Sequence, residues 1–221
     1  MILIRHAHSV ANDKGVLAGR ATGVTLSKKG LSQAQDLKRR LGNLKIREIR
    51  ISPLERCHLT MQPWLDEQAN AAGKIVVDPN ITEVDYGSWT GKKLSTLSLK
   101  KEWRVVQKTP SQMIFPGGES LLNVQIRATK ALMRSIKARG SGVSIIVSHG
   151  DVIKSIIASA LQLELDKFQK IVIDPASISV LQCNKDDFRL LHLNDSATNF
   201  EYLSKVSRSS KAHIGGGAGR V

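Results

Sequence analysis

Short apolar runs that end abruptly in polar or charged residues set the framework of this chain. Ile2-Leu3-Ile4 runs straight into Arg5-His6, the pattern of a buried strand ending in a sharp change of chemistry. From Ser27 the period changes. Leu31, Ala34, Leu37 and Leu41 recur at helical spacing, with Ser27 as N-cap and Gly42 as the stop. Asp36, Lys38, Arg39 and Arg40 fall mostly on the other face, which predicts that they are solvated. Arg47 to Ser52 alternates polar residues with Ile49 and Ile51, a second strand that leads into Ser52-Pro53-Leu54-Glu55-Arg56. Ser52 as N-cap with Pro53 at the first helical position predicts a helix start, with Arg56 in the first turn. Leu54, Cys57, Met61 and Leu65 give that helix its buried face, and Pro63 a kink.

Lys74 to Asp78 reads as a third strand, and Leu121 to Arg139 as a long helix ended by Gly140. Val143 to Ser148 is the strongest buried strand. It ends at His149, with Asp151 placed to cap an apolar helix over Val152 to Leu163. Ile178 to Leu181 and Arg189 to Leu193 alternate as a closing pair of strands. Strands alternating with helices in this order predict an α/β fold with a largely parallel central sheet.

At 221 residues the chain suits one large domain, expected over residues 1–203. No apolar run is long enough to span a membrane, and the one before Arg5 is too short for a signal peptide. Cys57 and Cys183 match no zinc or redox spacing, which points to a reduced, cytoplasmic setting. Charge is the unusual quantity. With 33 basic and 19 acidic residues the net is +14, which favours anionic partners without naming them. Aromatic residues make up only 4%, a poor supply of stacking platforms, so nucleic acid is a possible partner but not the favoured one. Residues 204–221, with four basic residues, no acidic ones and three consecutive glycines, read as a disordered basic tail.

Three apolar strands end in residues suited to a phosphoryl group: Arg5-His6, Ser52 to Arg56, and His149. In a parallel sheet all three reach one edge. Two guanidiniums grip phosphoryl oxygens in forked bonds. One imidazole can attack phosphorus while a second stabilises the equatorial oxygens. Spacing alone lets either histidine be the nucleophile. A leaving alkoxide needs a proton, which the loop Pro79 to Gly91 can supply from Glu83 or from Asp85.

Arg5-His6-Ala7, Ser52-Pro53-Leu54-Glu55-Arg56, Glu83 to Gly91, Gly117-Gly118-Glu119-Ser120 and Ser148-His149-Gly150 resemble, in order, the motifs of the histidine phosphatase superfamily, also called phosphoglycerate-mutase-like. The resemblance implies a three-layer α/β/α sandwich, catalysis with no metal or cofactor, and a small phosphorylated substrate. By position it makes His6 the phospho-accepting nucleophile and Glu83 the proton donor. It makes Arg5, Arg56 and His149 the phosphate pocket and Asn12 a pocket neighbour. The glycolytic mutases of the family carry a longer insertion between the acid and the second histidine. Its absence leaves the site open to water, so hydrolysis is preferred to a mutase reaction. A non-catalytic phospholigand- or nucleic-acid-binding protein on the same scaffold is the alternative from another class.

Two departures from the family pattern stand beside the nucleophile: Ala7 replaces a usual glycine, and His8 is a candidate for shaping substrate choice. His58, His192 and His213 read as structural or solvated, and Tyr86 and Trp89 as loop packing. No His/Asp/Glu cluster has ligand spacing, so no metal site is expected. The segment from Lys92 to about residue 116 is a basic cap that either overhangs the pocket, favouring a second anionic group, or is simply solvated.

Overall fold

The computed structural model describes residues 1–68, 73–184, 187–201 and Leu203. The basic tail expected over 204–221, with His213, lies outside the described residues. In chain order the elements are β1 (Ile2–Arg5), α1 (Val10–Asp13), α2 (Lys28–Leu41), β2 (Ile46–Ile51), α3 (Glu55–Glu67) and β3 (Lys74–Val77). There follow α4 (Leu94–Leu97), α5 (Lys101–Lys108), α6 (Leu121–Ile136), β4 (Val143–Ser148), α7 (Gly150–Ala160), β5 (Ile178–Asn184) and β6 (Asp187–Asp195). The strands form one sheet in the order β3-β2-β4-β1-β5-β6. The first four are parallel, and β5 and β6 add an antiparallel edge.

Alternation along the strands explains the layers. Leu3 and Ile146 face α6 and α7, where Leu121, Val124, Ala128, Val152 and Ile156 close one core. Ile2, Ile4, Ile145 and Val147 face the other way onto Leu37 and Leu41 of α2 and Cys57, Met61 and Trp64 of α3. Each such side chain removed from water contributes about 1.5–3 kcal/mol. The result is the helix–sheet–helix sandwich implied by the motifs.

Three local expectations are corrected. Leu31 does not join the buried face of α2; it is 54% exposed, while Arg40, expected in solvent, is 1% exposed. The Arg40 guanidinium donates to the carbonyls of Ala176 and Asp195 at 3.1 and 2.8 Å, so it staples α2 to the chain around β5 and β6. Helix α6 ends at Ile136, short of Arg139, with Lys137 as its cap.

Beyond β3, Asp78 fixes the turn that starts the acid-bearing loop. It accepts from Arg50 at 3.0 Å, Arg134 at 2.9 Å and the Asn80 N–H at 2.9 Å. Burial raises its pKa, but the bonds from Arg134, Asn80 and Arg50 outweigh that and hold the carboxyl at about 2. A depressed folded pKa stabilises above the unfolded value and is lost as pH falls through the folded one. Asp78→Asn is therefore expected to cost about 2 kcal/mol at neutral pH. The gap from wild type should close as denaturation is repeated between pH 4 and 2; an equal gap at both ends would refute the account.

Candidate active site

Register brings the motif-bearing strand ends together. Arg5 lies beside Ser148 and Ile51 beside Val147, so His6, Ser52 and His149 leave adjacent strands at one edge of the sheet. A cavity of about 400 Å³ opens there, with Arg5, His6, Asn12, Arg56 and Glu83 in its wall. His149 lies just behind that wall, fully buried, with its ring centroid 5.2 Å from that of His6. All six residues singled out from the sequence thus meet in one place.

The hydrogen bonds distinguish the two imidazoles. Nδ1 of His6 lies 2.8 Å from the Ala7 carbonyl, which can only accept, so Nδ1 carries the proton and Nε2 keeps its lone pair. His149 is held at both nitrogens. Its Nε2 is 2.8 Å from Ser52 Oγ, and its Nδ1 is 3.3 Å from Arg56 Nη2, which can only donate. Burial, and then the charges of Arg56 and Arg5, push the pKa of His6 well below its usual value. Burial acts first on His149 too, followed by Arg56, His6 and Arg5. Both rings are neutral at pH 7 in the resting site.

The arginines are set to receive an anion. Arg5 Nη1 donates to the Ile173 carbonyl at 2.6 Å, while its Nε is buried with no partner among the described residues. An unsatisfied buried donor is costly, and a phosphoryl oxygen would satisfy it. Gly150, at the start of α7, lies against the same guanidinium, adding the favourable end of the helix dipole. Arg56, in the first turn of α3, donates to the Gly19 carbonyl at 2.8 Å. Asn12 contributes less directly, because its Oδ1 accepts from the N–H and hydroxyl of Ser9 in the capping box of α1.

Geometry also separates the rival acids. Glu83 lines the cavity, its Oε2 3.7 Å from His149 Nδ1. Burial pushes its carboxyl up to about 7, against the pull of Arg56 and with help from Asp151. Asp85 instead accepts from the Gly87 N–H at 3.0 Å, and its half-exposed side chain is not part of the cavity wall. The Glu83 loop is clamped from below. Arg127 donates to the carbonyls of Asn80 at 2.8 Å, Thr82 at 2.7 Å and Glu83 at 3.1 Å, and it pairs with Glu119 at 2.7 Å. Glu119 also accepts from the Asp85 N–H at 2.8 Å. Gly118 lets the turn that carries Glu119 pack against this loop, since a Cβ there would sit 2.2 Å from the Asp85 carbonyl.

Sequence reasoning misplaced two of these parts and missed others. Ser52 does not cap α3. That helix starts at Glu55 with Leu54 as its uncapped boundary, because the Ser52 hydroxyl is engaged by His149. Asp151 likewise lies inside α7, whose boundary residue is His149, and accepts from the Tyr86 hydroxyl at 3.0 Å. Thr60, Arg127 and Arg20 carried no local signal. Thr60 accepts from the Ala7 N–H at 2.8 Å from a helix fifty residues away. Ala7 is not among the residues with positive φ, so its methyl replaces the usual glycine without strain. His8 points its Nδ1 at Ser27 Oγ, 3.0 Å away, and does not line the cavity. Of the basic segment only Leu94 reaches the wall; its lysines and Arg104 do not, which favours the solvated reading.

One expectation drawn from spacing was incomplete. His6, Glu83 and His149 converge with ligand-type atoms within 4.8 Å of one another. Separation along the chain does not forbid that. The guanidiniums of Arg5 and Arg56 beside them, and the orphaned Arg5 N–H, suit an anion better than a cation.

A mostly parallel α/β sheet whose strand ends bring two arginines and two histidines to one cavity beside a largely buried carboxyl defines a class, and comparison with known proteins names it. The family described as histidine phosphatase superfamily (branch 1) matches residues 1–196, and the chain belongs to it. Phosphoserine phosphatase 1 of Hydrogenobacter thermophilus is 30% identical over 196 residues, 88% of this chain and 91% of that one. The 2,3-bisphosphoglycerate-dependent phosphoglycerate mutase of Thermoplasma acidophilum is 25% identical over 181 residues, 81% of this chain and 85% of its own. Among solved structures, a mycobacterial glucosyl-3-phosphoglycerate phosphatase complexed with VO3 shares the fold with a TM-score of 0.78 at 21% identity, over 88% of this chain and 98% of that one. The alpha-ribazole phosphatase of Shigella flexneri does so with a TM-score of 0.77 at 23% identity, over 90% and 98%.

Proposed function

We propose that the protein is a phosphomonoester hydrolase that works through a phosphohistidine on His6 and acts on a small phosphorylated metabolite. The observation that carries this reading is the contrast between the imidazoles: His6 lines the cavity and its Nε2 has no hydrogen-bond partner among the described residues, whereas both nitrogens of His149 are engaged. Arg5 and Arg56 hold the phosphoryl oxygens. Nε2 of His6 attacks phosphorus, the bond from phosphorus to the ester oxygen breaks, and the leaving alkoxide takes the proton of Glu83. Burial, and after it the charge of Arg56, keeps His149 neutral in the resting site. The bound phosphoryl charge favours its cation, so His149 takes up a proton from solvent on substrate binding, donates Nδ1–H to the equatorial oxygens, and gives that proton up again when phosphate leaves. In the second half, water attacks the phosphohistidine and gives a proton back to Glu83. The nitrogen–phosphorus bond breaks and phosphate leaves, restoring the site.

Beyond the phosphoryl pocket the cavity wall carries Asp151, Lys154 and Asp174 beside Leu17, Leu94 and Val172, so it meets a small group of mixed polarity. Two named relatives take phosphoserine and a phosphoglycerate, which makes phosphorylated three-carbon acids the first substrates to try. The test is phosphate release from a panel of phosphomonoesters led by phosphoserine, with and without EDTA. Release unchanged by the chelator is expected. Isomerisation of phosphoglycerate without release would favour a mutase, and strict metal dependence would overturn the mechanism.

A further inference from the structure

Arg20 takes no part in the chemistry above, yet it reaches the acid. Its Nε donates to the Glu83 carbonyl at 2.9 Å, and its Nη2 donates to Glu119 Oε1 at 2.7 Å. Its Nη1 stands 3.8 Å from Asp85 Oδ2. Arg20 belongs to a different loop, the one whose residues Val16, Leu17, Ala18 and Gly19 wall the cavity. The carbonyl of its neighbour Gly19 is the acceptor for Arg56. Gly19 is required there: its φ is +51°, and a Cβ would lie 2.8 Å from Thr90 Oγ1. A continuous path therefore runs from the phosphate-gripping Arg56 through Gly19 and Arg20 to the backbone of Glu83.

We propose that Arg20 is a positioning residue for proton transfer, latching the pocket-wall loop to the Glu83 loop so that the acid is fixed against the leaving oxygen. This rests on reading Glu83 as the acid. The latch is not needed to fold the acid loop. Without Arg20, both the Glu83 carbonyl and Glu119 keep their bonds to Arg127. The Arg20 side chain is 39% exposed, where a single ion pair contributes little to stability. What it adds is the tie between the two loops, and small displacements of a catalytic group cost rate far more than they cost stability.

The experiment compares Arg20→Ala with Glu83→Gln on two esters. One is p-nitrophenyl phosphate, whose leaving group departs without a proton; the other is the alkyl phosphomonoester turned over fastest in the panel. The readout is kcat/KM, which reports the step in which the leaving group departs. Arg20→Ala should lose about 10- to 100-fold on the alkyl ester and little on the aryl ester. Competitive inhibition by inorganic phosphate and the unfolding midpoint should stay unchanged. On a Glu83→Gln background the same substitution should cost nothing further. Equal losses on both esters, no loss on either, or a full additional loss in the double variant would overturn the proposal. If Glu83→Gln itself fails to discriminate between the esters, the acid assignment falls and the proposal with it.

Discussion

His6→Ala leaves a folded protein that no longer turns over phosphomonoesters. The loss expected is at least about 10⁴-fold, the scale on which removing a covalent nucleophile is felt. The removed imidazole fills no hydrophobic core: it borders the cavity, and among the described residues its ring bonds only to the carbonyl of the next residue. Circular dichroism and the unfolding midpoint should therefore stay close to wild type. Wild type incubated with a phosphodonor and quenched in alkali should carry acid-labile phosphate, and the variant none. His149→Ala is the informative companion. It also slows turnover, but it retains the nucleophile and should still label, slowly. Labelling of His6→Ala with none in His149→Ala would reverse the two roles.

Glu83→Gln produces the second large effect, and its size depends on the ester. Loss of a general acid costs about 10²–10⁴-fold where the leaving group needs its proton. Alkyl esters should show that full loss and p-nitrophenyl phosphate much less. The acid must be protonated to act, and burial places its carboxyl at about 7. Activity on alkyl esters should accordingly fall as pH rises through 7. His6 is already neutral there, since burial and the two arginines hold its pKa well below the usual value. In Glu83→Gln the fall at high pH should vanish, because glutamine does not titrate. If a limb at the same pH persists in the variant, another group is responsible.

Much of this site was legible in the sequence because it is built at strand ends. A buried strand is a run of apolar residues, and the residue that interrupts it is conspicuous, as with Arg5-His6 and His149. The order of strands and helices follows from periodicity for the same reason, while the three layers are implied by the family resemblance. What stayed hidden depends on contacts between distant segments. Nothing near Ser52 signals that its hydroxyl belongs to His149 rather than to α3. Arg40 has the spacing of a solvated residue until the chain after β6 arrives to accept from it. Arg127 and Arg20 look like two more basic residues in a chain with 33 of them. Spacing could not choose between Glu83 and Asp85, because an extended segment points both the same way; the resemblance favours Glu83, and of the two it is Glu83 that lines the cavity.

The division of the cavity wall carries a consequence for how such a protein can change. The two histidines and two arginines sit at register-locked strand ends and in the first turn of a helix, and Glu83 sits on a loop that Arg127 clamps. The surface that meets the rest of the substrate comes mostly from irregular chain, residues 16–19 and 171–174. Substitutions at Val16, Leu17, Ala18, Val172 or Asp174 should alter the shape and charge offered to the alcohol, while the carbonyls of Gly19 and Ile173 keep their bonds to Arg56 and Arg5. Substrate range is thus separable from reaction type, and a few exchanges there would let one scaffold serve different metabolites. A relative named for phosphoserine, and solved structures of the same fold named for alpha-ribazole and glucosyl-3-phosphoglycerate, are what that separability leads one to expect.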